Sequence, residues 1–160
     1  QLANLAAAIA NHGYFITPHL TRGLRDSEGN PIDSPASLKK RQTGIDAKHF
    51  PPVIDGMELV VQAGTARIAY IPDIPICGKT GTAENTQRGG KDHSIFFAFA
   101  PKENPKIAIA VYIENGGFGG TYAAPIVSLM IEKYLRGEIT PSRQWLEDRM
   151  KTADLIGGQP

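Results

Sequence analysis

The sequence predicts an α+β fold, an antiparallel sheet with helices packed against it, and three observations carry that prediction. Residues 94–100 and 106–114 are apolar runs of strand length, rich in β-branched and aromatic side chains. Their connection, Pro101-Lys-Glu-Asn-Pro105, suits an antiparallel hairpin, whereas a parallel crossover needs about a dozen residues or more. Helical periodicity recurs before and after this pair, so the helices have a sheet to cover.

In chain order, residues 1–10 read as helix, with Leu2, Leu5, Ala6 and Ile9 at helical spacing. Asn11-His12-Gly13 supplies a stop, while nothing before the helix supplies a start, which reads as a cut in a longer chain. Residues 14–24 carry Phe15, Leu20 and Leu24, with Pro18 interrupting. Asp26-Ser-Glu-Gly-Asn30 is a turn, and Pro31-Ile32 begins a returning strand. Residues 34–48 are polar, basic and irregular, the pattern of an exposed loop. After Pro51-Pro52 a short amphipathic helix is expected, with Val53, Met57, Val60 and Val61 on one face and Gly64 ending it. Ile71-Pro-Asp-Ile-Pro-Ile76 is extended, because each proline disfavours helix at the residue before it. Polar residues 84–93 form a loop, and Asn115-Gly-Gly-Phe-Gly-Gly120 a flexible turn. Residues 121–135 are helical through Ile126, Leu129, Met130, Lys133 and Tyr134, with Gly137 closing the helix. A further short helix is expected over 143–152.

Composition excludes several functions and selects none. Lys and Arg total 17 against 16 Asp and Glu, a net charge of +1, so no basic excess supports nucleic-acid binding. The longest purely apolar run, residues 107–113, is too short to cross a bilayer. Cys77 is the single cysteine, which rules out an internal disulfide and a cysteine-rich metal site. Its apolar neighbours make it a small buried hydrophobe. The four histidines lack ligand spacing, so neither a metal nor a cofactor is expected. His93, at a strand entry, is read as capping that strand end.

The sharpest local feature is Gly78-Lys79-Thr80-Gly81-Thr82. A phosphate-binding loop would need glycine at position 73, which is Asp73, and a following helix that the polar loop denies. Gly117-Phe-Gly119 begins a dinucleotide fingerprint, but Tyr122 stands where its third glycine belongs. On a strand, Lys79 and Gly81 would share one face, and Thr80 and Thr82 the other. A lysine and hydroxyls so placed can hold a carboxylate and assist proton transfer. Glycine lets a substrate backbone lie close, and a strand N–H can stabilise a tetrahedral oxyanion. The competing interpretation is an exposed turn with a solvated lysine.

The flanks extend the pattern. Gly64-Thr-Ala66, Ile76-Cys-Gly-Lys-Thr-Gly-Thr-Ala-Glu84, Phe96-Phe-Ala-Phe-Ala-Pro101, Ile107-Ala-Ile-Ala-Val-Tyr-Ile-Glu-Asn-Gly-Gly117 and Ala123-Ala-Pro125 together resemble class B penicillin-binding proteins, most closely their elongation-type transpeptidases. The opening Gln1–Asn11 run and Pro18-His-Leu20 are similar to the preceding segment of that family. The resemblance covers residues 1–136, and residues 137–160 read as a C-terminal tail.

The resemblance implies a partial β-lactamase/transpeptidase-like domain. Lys79, Thr80 and Gly81 would be the third active-site motif, beside the cleft. Thr82 would contact the substrate or penicillin carboxylate through its hydroxyl and lend its N–H to the oxyanion hole. The implied reaction is serine acyl transfer on the D-Ala-D-Ala end of a peptidoglycan stem peptide, with β-lactams trapping the acyl-enzyme. The implied partners are the upstream part of the same domain and the cell-wall elongation machinery. The implied parent sits in the bacterial inner membrane with this domain outside the cytoplasm. The piece itself is expected to be soluble and without an anchor.

One departure from the family pattern matters. The nucleophile belongs to Ser-x-x-Lys, followed by Ser-x-Asn, both upstream of Lys-Thr-Gly. Ser37-Leu-Lys-Lys40 matches the first by letters but sits in a basic loop, after the helix that should follow both motifs, and no Ser-x-Asn occurs. The nucleophile is therefore expected to be missing, and the isolated chain inactive. Alternatives from other classes are a non-catalytic penicillin- or peptide-sensing relative, a piece of a β-lactamase-like hydrolase, or an interaction module without cleft chemistry.

Overall fold

The computed structural model describes residues 1–21, 23–32, 39–86 and 90–155. Its centre is a three-stranded antiparallel sheet, β5 (Cys77–Ala83), β6 (His93–Ala100) and β7 (Ile107–Ile113), in that spatial order. The register runs Cys77 opposite Phe99 through Ala83 opposite His93, and Ser94 opposite Ile113 through Ala100 opposite Ile107. The motif strand β5 pairs with β6, and β6 and β7 form the expected hairpin. Its turn contains a cis Ala100–Pro101 peptide.

Both sheet faces are covered. On one, α1 (Leu2–Ala10) and α2 (Phe50–Gln62) bring Ala10, Phe50, Ile54 and Met57 against Cys77 and Phe99. On the other, α3 (Ala123–Arg136) brings Ala124, Val127 and Ile131 onto Phe96, Ala98 and Ala100, with Ile71, Ile74 and Ile76 completing the cluster. Gly137, at φ 86°, ends α3 in the left-handed conformation that glycine adopts without penalty. A short helix, α4 (Gln144–Thr152), then packs back with Leu146 buried. No described helix is long and apolar enough to cross a membrane.

Three expectations are corrected. The segment expected to be wholly irregular contributes β4 (Lys40–Gln42), which pairs with β1 (Tyr14–Ile16). Backbone pairing and Lys40 lying 4.3 Å from the centre of the Tyr14 ring hold it, so apolar alternation has no part in it. Secondly, α2 starts at Phe50 and is capped at Ala63, and it buries Ile54 where Val53 was expected; Val53 is exposed. Thirdly, α3 turns Ala124, Val127, Ser128, Ile131 and Glu132 inward, while Met130 and Tyr134 face out. The small residues let the helix approach the sheet closely, and the large ones remain at its rim. The turn expected at residues 26–30 does join two strands, β2 (Leu24–Arg25) and β3 (Pro31–Ile32).

Candidate functional site

The five residues Gly78 to Thr82 lie on β5, at the edge of the sheet. The turn interpretation fails on that ground. Lys79 stands opposite Phe97 and Gly81 opposite Ile95, while Thr80 and Thr82 stand opposite Phe96 and Ser94 on the other face. The strand enters from the core, with Cys77 and Gly78 buried, and emerges at Lys79, which is exposed. The Lys79 ammonium donates to the Thr80 carbonyl oxygen at 2.8 Å. Thr80 shares a 2.8 Å hydrogen bond with the Thr65 hydroxyl, from the Gly64-Thr-Ala66 block just beyond α2.

Glycines set how closely the neighbours approach this strand. A Cβ on Gly78 would sit 2.3 Å from Cζ of the buried Phe96 ring. Only a hydrogen fits there. Gly119 presses on the strand pair from the loop before α3, where a Cβ would lie 2.2 Å from the Ile95 carbonyl oxygen and 2.8 Å from that of Gly81. Ser94, fully buried, fastens the same loop by donating to the Phe118 carbonyl at 2.9 Å. Because the Gly119 obstruction is backbone, it cannot rotate aside. We expect Gly119→Ala to destabilise the chain by about 2 kcal/mol, within the range for overpacking, measured by urea unfolding. An unchanged midpoint would show that the loop does not rest on the motif strand.

The structure sorts the remaining candidates. His93 faces the turn, accepting a 3.0 Å hydrogen bond from the Asn115 N–H and lying against Tyr112 with ring centres 5.4 Å apart. It caps the strand end. Cys77 is fully buried, and burial, with the Glu58 charge adding to it, pushes its thiol up to about 12. It is therefore protonated and unreactive at neutral pH. Asn85 donates to the Asn115 side-chain oxygen at 2.6 Å and to the Lys91 carbonyl at 3.1 Å, bracing the far end of the motif strand, and the side chain of neighbouring Glu84 is exposed. Ser37 lies outside the described residues. Among the described residues no cluster of three potential metal ligands occurs.

Thr65 and Gly119 were not assigned a place at the site by sequence reasoning. The Gly64-Thr-Ala66 block and the repeated glycines were visible, but neither signal says which strand it touches. A third omission is an ionic cluster. Glu132, fully buried on α3, accepts from Arg136 at 3.0 Å, Arg143 at 2.8 Å and the Thr140 hydroxyl at 2.8 Å. Only the Glu132–Arg136 spacing could have suggested it.

Residues 1–132 match the penicillin binding protein transpeptidase domain family. The chain is 30% identical to the peptidoglycan D,D-transpeptidase MrdA of Acinetobacter baumannii, over 99% of this chain and 26% of that protein. It is 36% identical to the peptidoglycan D,D-transpeptidase PbpA of Mycobacterium tuberculosis, over 85% of this chain and 29% of the relative. A solved structure of penicillin-binding protein A from M. tuberculosis, a penicillin G acyl-enzyme complex, superposes with a TM-score of 0.69 at 32% identity, covering 84% of this chain and 31% of that one. The chain therefore spans between a quarter and a third of these relatives. With the motif on an edge strand, the paired antiparallel sheet and the match over most of its length, the chain belongs to the penicillin-binding protein transpeptidase family.

Proposed function

We propose that this chain forms one wall of the active-site cleft of an elongation-type peptidoglycan D,D-transpeptidase. In this reading residues 1–136 are the C-terminal part of the transpeptidase domain, and residues 137–160 are its C-terminal tail. The observation that carries it is the placement of Lys79, Thr80, Gly81 and Thr82 on an exposed edge strand whose glycines are packed against fixed neighbours. The Thr82 hydroxyl contacts the carboxylate of the stem peptide or the β-lactam, with Thr80 on the same face of the strand, while Lys79 on the opposite face supplies positive charge beside the cleft and assists proton transfer. The Thr82 N–H is half of the oxyanion hole.

The serine comes from the rest of the domain. Its oxygen adds to the carbonyl carbon of the penultimate D-alanine, the terminal D-alanine leaves as the free amine with a proton, and an ester remains. An amine of a neighbouring stem then attacks the ester, forming the cross-link and returning the proton to serine. The parent is anchored in the inner membrane, works outside the cytoplasm with the cell-wall elongation machinery, and supports cell shape.

Fluorescent penicillin tests this. The 160-residue chain is expected to carry no label that survives denaturation, while the intact parent is labelled. A label mapped to Ser37 would overturn the missing-nucleophile argument, and an unlabelled parent would overturn the function. Rapid release of the label by hydrolysis would favour the β-lactamase-like alternative. The exposure of Lys79 favours a second reading, an interaction module without cleft chemistry. Substitution of that lysine separates the two.

A further inference from the structure

We infer that Arg143 is a positioning residue for the motif strand, acting through the buried carboxylate of Glu132 and the backbone that feeds β5. The inference rests on the function proposed above. Arg143 lies beyond the residues that match the family, in the turn that leads into α4. Its guanidinium donates in three directions: from Nε to Glu132 at 2.8 Å, from Nη2 to the Ser128 hydroxyl at 2.7 Å, and from Nη1 to the Tyr70 carbonyl at 2.9 Å. The first two acceptors are on α3. The third opens the segment Tyr70 to Ile76, which runs directly into Cys77.

That segment is held at further points, one of them by the same group of charges. Arg136 bridges Glu132 to Asp73. The Pro75 carbonyl accepts from the Lys102 N–H at 2.9 Å, and Ile71, Ile74 and Ile76 are buried between these points. At the other end of the connection, Thr65 is bonded to Thr80 on the motif strand. The path from α2 to the motif is therefore fixed at Thr65 by Thr80 and at Tyr70 by Arg143. A buried carboxylate tolerates its position only while its donors are complete, so Glu132 gives Arg143 one orientation. A planar guanidinium can reach three acceptors on two elements at once, and a lysine ammonium cannot.

The consequence concerns backbone more than side chain. A small displacement of β5 can be absorbed by the long flexible arm of Lys79, whereas the Thr82 N–H moves with the strand. Loss of Arg143 should therefore impair the bond-forming step more than the initial capture of penicillin.

The test uses the intact parent carrying Arg143→Lys, with Arg149→Gln on the exposed side of α4 as control. Amide exchange at residues 71–82 is expected to rise about tenfold, the scale of one lost hydrogen bond to a charged group. The acylation rate constant per folded molecule is expected to fall about tenfold, with penicillin affinity falling less than about threefold. The control is expected to change neither. Unchanged exchange at residues 71–82 would overturn the inference. Faster exchange with unchanged acylation would make Arg143 a structural clamp only, which also overturns it. Should Arg143→Lys fail to fold, Ser128→Ala removes one acceptor of Arg143, together with the Ser128 bond to the Pro125 carbonyl inside α3, and is expected to show the same pattern at smaller amplitude. If the unsubstituted parent is not acylated at all, the proposed function fails, and the exchange measurement still decides whether Arg143 holds the strand.

Discussion

Glu132→Ala is expected to destabilise the 160-residue chain by about 3–5 kcal/mol, the cost of removing one partner from a buried ion pair. Glu132 is fully buried, and its two oxygens accept from Arg136, Arg143 and both donors of Thr140. Deleting it leaves the mostly buried Arg143 guanidinium with the Tyr70 carbonyl and the Ser128 hydroxyl but, among the described residues, no counter-charge. Arg136 keeps Asp73, so the loss falls mainly on Arg143. That asymmetry gives a discriminating measurement. Each of Glu132→Leu and Arg143→Met should be severely destabilising alone. The double variant should recover much of the loss, because two apolar side chains leave no unpaired buried charge. Urea unfolding of the four chains measures the coupling, and strict additivity would mean that the two side chains do not depend on each other.

The same cluster shows where sequence reasoning stops. Turn and cap signals located the elements well: Gly13 after α1, Gly137 after α3, and the proline-bounded turn between β6 and β7 lie where their backbone chemistry places them. Which side of a helix faces inward was less legible. In α1 the buried positions are Ala6, Ala8 and Ala10 while Leu5 is exposed, and in α3 Ser128 and Glu132 are buried while Met130 and Tyr134 are not. Periodicity weighted by side-chain size favours the large residues. Close packing against a sheet favours the small ones, and a buried acid is admitted because Arg143 arrives from a distant turn. The motif itself could be recognised from its letters, because a family pattern stores in sequence what the fold requires. The Thr65–Thr80 bond and the approach of Gly119 could not, since each joins residues whose proximity exists only after folding.

Lys79→Ala is expected to lower the rate of acylation of the intact parent by penicillin about 100-fold, or roughly 3 kcal/mol in transition-state stabilisation. The fold should barely notice the change. Lys79 is exposed, and among the described residues its ammonium bonds only the carbonyl of its neighbour Thr80, so stability should stay within about 0.5 kcal/mol. This separation makes the substitution informative, because lost activity could not be ascribed to a lost structure. Lys79→Arg is expected to restore little, since a planar guanidinium presents its donors in a different geometry from a compact ammonium. Thr80→Val would be a poorer probe, because it also breaks the bond to Thr65 that braces the strand. The measurement is the second-order rate of label incorporation, normalised to folded protein by thermal melting. Acylation unchanged in Lys79→Ala would mean that the exposed lysine is a solvated surface charge, and would leave the edge strand as a binding or structural surface within a penicillin-binding fold.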